Sequence, residues 1–129
     1  MSVRFVTRKL HSRLDYPVAF ALIGAPLLLG LGATNPAGLW LGVGTGIAAL
    51  LLTLLTDHET GVLRVLPYSV HLAVDALVGV VFLVAPTLLG LQGLDAWFYW
   101  VNGAAVLSVV TLHKPEVEAP ALAEPIPGS

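Results

Sequence analysis

The chain has no cysteine, which removes disulfides, thiolate nucleophiles and cysteine-ligated metals from its chemistry. Charge is nearly as scarce. Only 11% of the 129 residues are Asp, Glu, Lys or Arg, and the formal net charge of −2 gives no electrostatic basis for a nucleic-acid partner. None of these four residue types falls in 16–56, 76–94 or 96–113, so runs of 41, 19 and 18 residues carry no such charge. No grouping of serine, histidine and acid at nucleophile spacing stands out either, so no catalytic residue is assigned and no cofactor is required.

What fills those runs is apolar. Hydrophobic residues make up 57% of the chain and the mean hydropathy is +0.87, more apolar surface than a soluble core of this size hides. A membrane-spanning helix needs about 20 apolar residues. The longest run therefore holds two spans, broken at Thr34-Asn35-Pro36-Ala37-Gly38, where Asn-Pro and Gly favour a turn. The expectation is an all-α, four-span transmembrane bundle with spans near 14–33, 38–56, 71–91 and 96–113. The first run is read as a span and not as a cleaved signal peptide, because its pattern returns 60 residues later where no signal peptide lies.

Orientation follows from the basic residues. Arg4, Arg8, Lys9, Arg13, Arg64 and Lys114 all fall before span one, between spans two and three, or after span four. The positive-inside rule then places both termini and the 57–70 connection in the cytoplasm, in a cytoplasmic membrane whose lipid is the first partner. Trp40 and the run Trp97–Trp100 fit an outer aromatic belt, Tyr16 and Tyr68 an inner one. The chain divides into a basic segment 1–13, a hairpin 14–56, a connection 57–70, a second hairpin 71–113 and a tail 114–129. Four prolines, three glutamates and no aromatic residue predict a disordered tail.

The two hairpins read as copies. At an offset of 60, comparing 11–52 with 71–112, 11 of 42 positions are identical without a gap, among them His11/His71, Asp15/Asp75, Pro26/Pro86, Gly30/Gly90 and Trp40/Trp100. Both copies begin on the same side, which predicts a parallel repeat about an axis along the membrane normal and argues against an inverted-repeat transporter. Positions 11, 15, 18, 25, 26 and 29 share one helical stripe, expected to face the bundle interior.

His11 and Asp15, like His71 and Asp75, are four apart near the cytoplasmic end. If spans one and three face each other, two imidazoles and two carboxylates meet. That set suits zinc, iron or manganese, and haem ligation or a proton relay are further readings. Against it stands helix capping. Asp15 followed by Pro17 looks like an N-cap, which would leave His11 outside the helix, and Ser69 offers an early cap in copy two. Asp57, His58 and Glu59 add ligand types at the same end but read first as a solvated helix terminus leading into the Gly61 turn, with Arg64 able to pair with an acid.

Pro26 and Pro86 should kink or end the first helix of each copy. Gly38, Gly42 and Gly46 form a close-packing ladder along span two, its partner a neighbouring span or another subunit. In the 60-residue register their counterparts are Phe98, Asn102 and Val106. The segments Ala25-Pro26-Leu27-Leu28-Leu29-Gly30-Leu31 and Ala85-Pro86-Thr87-Leu88-Leu89-Gly90-Leu91 resemble the SPW-repeat family of bacterial membrane proteins, with Ala for Ser and Leu27 or Thr87 for Trp. Asp15, Asp75, the Thr56-Asp57-x-Glu59-x-Gly61 segment and the His71-Leu-x-x-Asp75 opening also look like its two-repeat members. The resemblance covers about 10–113 and implies a small four-span protein without assigned catalytic residues. Two functional expectations result: a membrane module that packs with itself or another membrane protein, or a metal-, haem- or proton-handling protein built on His11, Asp15, His71 and Asp75.

Overall fold

A computed structural model describes residues 3–115, so the tail expected to be disordered lies, from 116 on, outside the described residues. The described chain is all-helical: α1 (Arg8–Leu28), α2 (Ala37–Leu55), α3 (Tyr68–Leu89) and α4 (Gly93–Thr111). Each of α1 and α3 packs along the helix that follows it, and contacts between the two hairpins are far fewer. Two helices, α2 and α3, are long and apolar enough to cross a membrane. Arg8, Lys9, Arg13 and Asp15 lie on α1, Asp75 on α3 and Asp95 on α4, so α1 carries most of the helical charge.

The helix starts correct the capping expectation. Thr7 caps α1, its hydroxyl accepting from the Leu10 amide at 3.1 Å, so Asp15 lies in the third helical turn and Pro17 sits inside the helix. In α3 the N-cap position is Pro67, and Ser69 is already helical. His11 and Asp15 are thus neighbours on one helix face, as His71 and Asp75 are.

The shared Pro-x-Leu-Leu-Gly-Leu segments end α1 and α3. Gly30 and Gly90 take φ of 67° and 66°, and the next amides, of Leu31 and Leu91, each donate to the carbonyl of Pro26 or Pro86 at 2.9 Å. This is a Schellman-type stop, which requires the left-handed conformation that glycine adopts freely. Leu31 and Leu91 are buried behind it. Of the stripe expected to face inward, His11 and Pro26 are buried, but Val18 and Leu29 remain 40% and 50% exposed, the latter because the helix has already ended.

The hairpins carry matching hydrogen bonds, and these set a register that differs from the gap-free one. Leu66 donates to the carbonyl of Leu55 and accepts from the amide of Asp57; Val6 donates to that of Leu112 and accepts from Lys114. Val6 and Leu66 are 60 apart, but Leu55 and Leu112 are 57 apart. The first helices match at 60 and the second at 57, because the connection from α3 to α4 is the shorter one. Trp40 therefore corresponds to Trp97, the two being 63% and 61% exposed, while Trp100 packs against the core. Gly38, Gly42 and Gly46 correspond to Asp95, Tyr99 and Gly103.

The glycine ladder is occupied within the chain. A Cβ on Gly42 would lie 2.8 Å from Pro26 Cγ and 3.0 Å from the Tyr99 hydroxyl, and one on Gly46 would lie 2.7 Å from Ile23 Cγ1. Tyr99 is buried, not interfacial; its hydroxyl donates to the Gly38 carbonyl at 2.6 Å and accepts from the Gly42 amide at 2.7 Å. It is a polar bolt between the hairpins, set in a core of Leu22, Phe82, Leu91 and Ala96. Asn35 adds another tie at that end, accepting from the Ala37 amide and donating to the last carbonyl of α3, Leu89.

Candidate metal centre

All four histidines of the chain meet at the opposite end, where α1 and α3 begin. His11, His58, His71 and His113 are each buried. The side chains of His11, Asp15, His71 and Asp75 place one ligand atom each within 4.8 Å of all the others. His11 Nε2 is 2.8 Å from Asp75 Oδ2 and 3.2 Å from Asp15 Oδ1. His71 Nε2 is 3.3 Å from Asp75 Oδ2 and 3.4 Å from Asp15 Oδ2. The His11–Asp75 contact has the geometry of a hydrogen bond. Asp15 Oδ2 makes none, although His58 Nε2 also stands 3.3 Å from it, and His58 Nε2 is likewise unpartnered.

Those spacings carry chemical information. Ligands bonded at about 2.0–2.1 Å to one tetrahedral ion lie about 3.3 Å from each other; three of the four contacts, at 3.2–3.4 Å, are near that value, Asp15 using a different oxygen toward each histidine, and the full set of four ligand atoms spreads to 4.8 Å. The second shell agrees for His71. Thr56 donates its hydroxyl hydrogen to the Leu52 carbonyl at 2.6 Å, so at the 2.8 Å contact with His71 Nδ1 it can only accept. His71 therefore carries a hydrogen on Nδ1 and turns Nε2 toward the carboxylates, the arrangement that ligating histidines use. His58 repeats it more loosely, its Nδ1 3.5 Å from a Thr60 hydroxyl that donates to the Ser12 carbonyl. His11 Nδ1 is buried without a hydrogen bond, and the His11 ring packs against those of Tyr68 and His113.

The connection after α2 is a strap across this centre and not a solvated helix end. Tyr16 donates to the Thr60 carbonyl at 2.6 Å, and His58 beneath is fully buried. Burial holds the His58 imidazole below its ordinary pKa, against the pull of Asp15. The flanking Asp57 and Glu59 point out, Glu59 standing 3.9 Å from Arg8. Arg64 bonds the carbonyls of Gly61 and Glu59 and not an acid side chain.

Four contributors escaped the sequence reading: His113, Tyr68, Thr56 and Thr60. Tyr68 is buried against His113, its hydroxyl 2.6 Å from Nε2. The His113 Nδ1 contact with the Lys114 carbonyl at 2.7 Å makes that nitrogen the donor, so Tyr68 donates to Nε2. The corrected register contains the missing signal, since it sets His113 on Thr56, each beside the first histidine of a hairpin.

Compared with known protein families, curated proteins and solved structures, the chain matches none. The resemblance to the SPW-repeat family accordingly rests on its motif residues alone.

Proposed function

We propose that this protein is a four-span membrane protein of the SPW-repeat type, made of two copies of one hairpin, that holds a divalent transition metal between them through His11, Asp15, His71 and Asp75. The observation that carries the reading is the convergence of two imidazoles and two carboxylates, each pair from a different hairpin, with one carboxylate oxygen left without a donor. A buried acceptor in that state costs about 1–3 kcal/mol unless something else binds it. Imidazole with carboxylate suits zinc, iron or manganese. Haem is disfavoured, because Asp15 and Asp75 oxygens within 3.4 Å of both Nε2 atoms occupy the plane a porphyrin would need.

Lipid exposure of all four helices is supported by their outward residues: Phe20, Leu51, Leu77 and Val101 are 60%, 54%, 63% and 60% exposed. The six basic residues lie at the end of the bundle that holds the histidines, which supports cytoplasmic termini. The packing-module reading loses its main argument, because the glycine ladder already has its partner within the chain.

Elemental analysis of the purified protein tests the metal reading. After loading with Zn²⁺, Mn²⁺ or Fe²⁺ and desalting, about one ion per chain should remain, and the His11→Ala, His71→Ala double variant should hold none while keeping its helical circular dichroism. Failure to retain any of the three ions overturns it.

A further inference from the structure

Of the four buried histidines, two belong to the quartet and His113 is bonded at both ring nitrogens, by Tyr68 and by the Lys114 carbonyl. His58 is left over. It stands on the strap, is 0% exposed, and its Nε2 has no hydrogen bond although Asp15 Oδ2 is 3.3 Å away. Thr60 gives its hydroxyl hydrogen to the Ser12 carbonyl at 3.1 Å, so toward His58 Nδ1 it can only accept, and the ring hydrogen belongs on Nδ1. Nε2 then turns a lone pair toward Asp15 Oδ2, as His71 Nε2 does from 3.4 Å. Acceptors that face each other at this distance repel unless a cation lies between them.

The spread of the quartet points the same way. No two ligands of a tetrahedral ion are farther apart than about 3.4 Å, whereas five or six ligands at about 2.1 Å include trans pairs near 4.2 Å. The quartet reaches 4.8 Å, too wide for four-coordination and wide enough to admit a fifth ligand. Only the first hairpin offers one after its second helix, because at the 57-residue register Pro115 stands where His58 does.

We infer, on the metal reading above, that His58 Nε2 is a fifth ligand of this centre, so that three imidazoles and two carboxylates hold an ion of the Mn²⁺ or Fe²⁺ class and the ion fastens the strap to α1. Five ligands exceed the four of a structural zinc site and suit ions that take five or six. Two hydrogen bonds already seat the strap on α1, from Tyr16 to the Thr60 carbonyl and from Thr60 to the Ser12 carbonyl. The ion adds a tie that a chelator removes.

X-ray absorption spectroscopy of the Mn²⁺- or Fe²⁺-loaded full chain in detergent counts the imidazoles on the ion. Wild type should show three and His58→Ala or His58→Gln two, with ion affinity lowered at least about tenfold, the least that loss of a metal-site partner costs. Free imidazole should restore part of that loss in His58→Ala. Trypsin reads the strap: the Val65 amide is bonded to the Leu55 carbonyl at 3.0 Å, so cleavage after Arg64 requires the strap to open. Mn²⁺ should slow that cleavage at least about tenfold in wild type, reversibly with chelator, and the protection should be lost in His58→Ala. Two imidazoles in wild type, or cleavage after Arg64 that ignores the ion, would overturn the inference, and neither measurement needs a variant to fold. Wild type that retains Zn²⁺ but neither Mn²⁺ nor Fe²⁺ sinks this inference alone; wild type that retains none of the three sinks the metal reading with it.

Discussion

His71 shows how one side chain is committed by its neighbours. Thr56, fully buried, is both donor to its own helix and acceptor for the imidazole. Thr56→Val keeps the shape and removes the acceptor, so it should weaken metal binding by about 10–100-fold, as loss of such outer-shell partners does. Chelator competition reads the affinity, and Thr56→Ser should restore it; an unchanged affinity in Thr56→Val would show that Thr56 does not orient the ring. Asp57→Asn, on an exposed side chain of the strap, should change nothing. The quartet was legible because its members sit four apart on helices, where spacing fixes the face. His113 was not, because it follows a helix end, where direction depends on backbone bonds such as that of Lys114 to Val6, and for the same reason His58 was legible only as a ligand type at that end and not as a buried member of the site.

At the scale of elements, the four glycines on α2 look alike in sequence and differ in surroundings. Gly46→Leu would drive side-chain atoms into Ile23 and the Ala19 carbonyl, whereas Gly44 has nothing within 4 Å of an added Cβ. Gly46→Leu should therefore cost about 1–3 kcal/mol or prevent folding, and Gly44→Leu should be neutral, as read by thermal unfolding in detergent. Equal effects would mean that the ladder does not face α1. Gly90 isolates a different cost. Its surroundings are open but its φ is 66°, so Gly90→Ala should lose about 1–2 kcal/mol through backbone strain alone. The Pro-to-Gly segments were visible as a repeat, and their structural meaning, a helix stop, came from the φ angles and the Leu31 and Leu91 bonds. The sequence leaves the register of α4 between offsets of 57 and 60, because Trp97 and Trp100 both satisfy a tryptophan match, and leucine and valine do not discriminate between neighbouring alignments.

For the whole molecule, the proposed membrane reading stands or falls on the number of helices that cross, which the sidedness of the termini reports. Only α2 and α3 are apolar enough on their own; α1 begins with the charged residues of the histidine end, and α4 dilutes its hydropathy with Asp95, Asn102 and aromatic residues. Composition alone therefore permits two spans. Packing argues for four, because α1 packs against α2, with Ala19 at Gly46 and Pro26 at Gly42, and Val6 is bonded to the segment after α4. With four spans, reporters fused after residues 35 and 94 read outside, and those after 62 and 114 read inside. With α2 and α3 alone crossing, the reporter after 114 would side with the one after 94. The expected result is that 114 sides with 62. The other outcome would put the basic residues of both termini outside, and with them His11 and His113, leaving no common membrane face on which the two hairpins bring their histidines together.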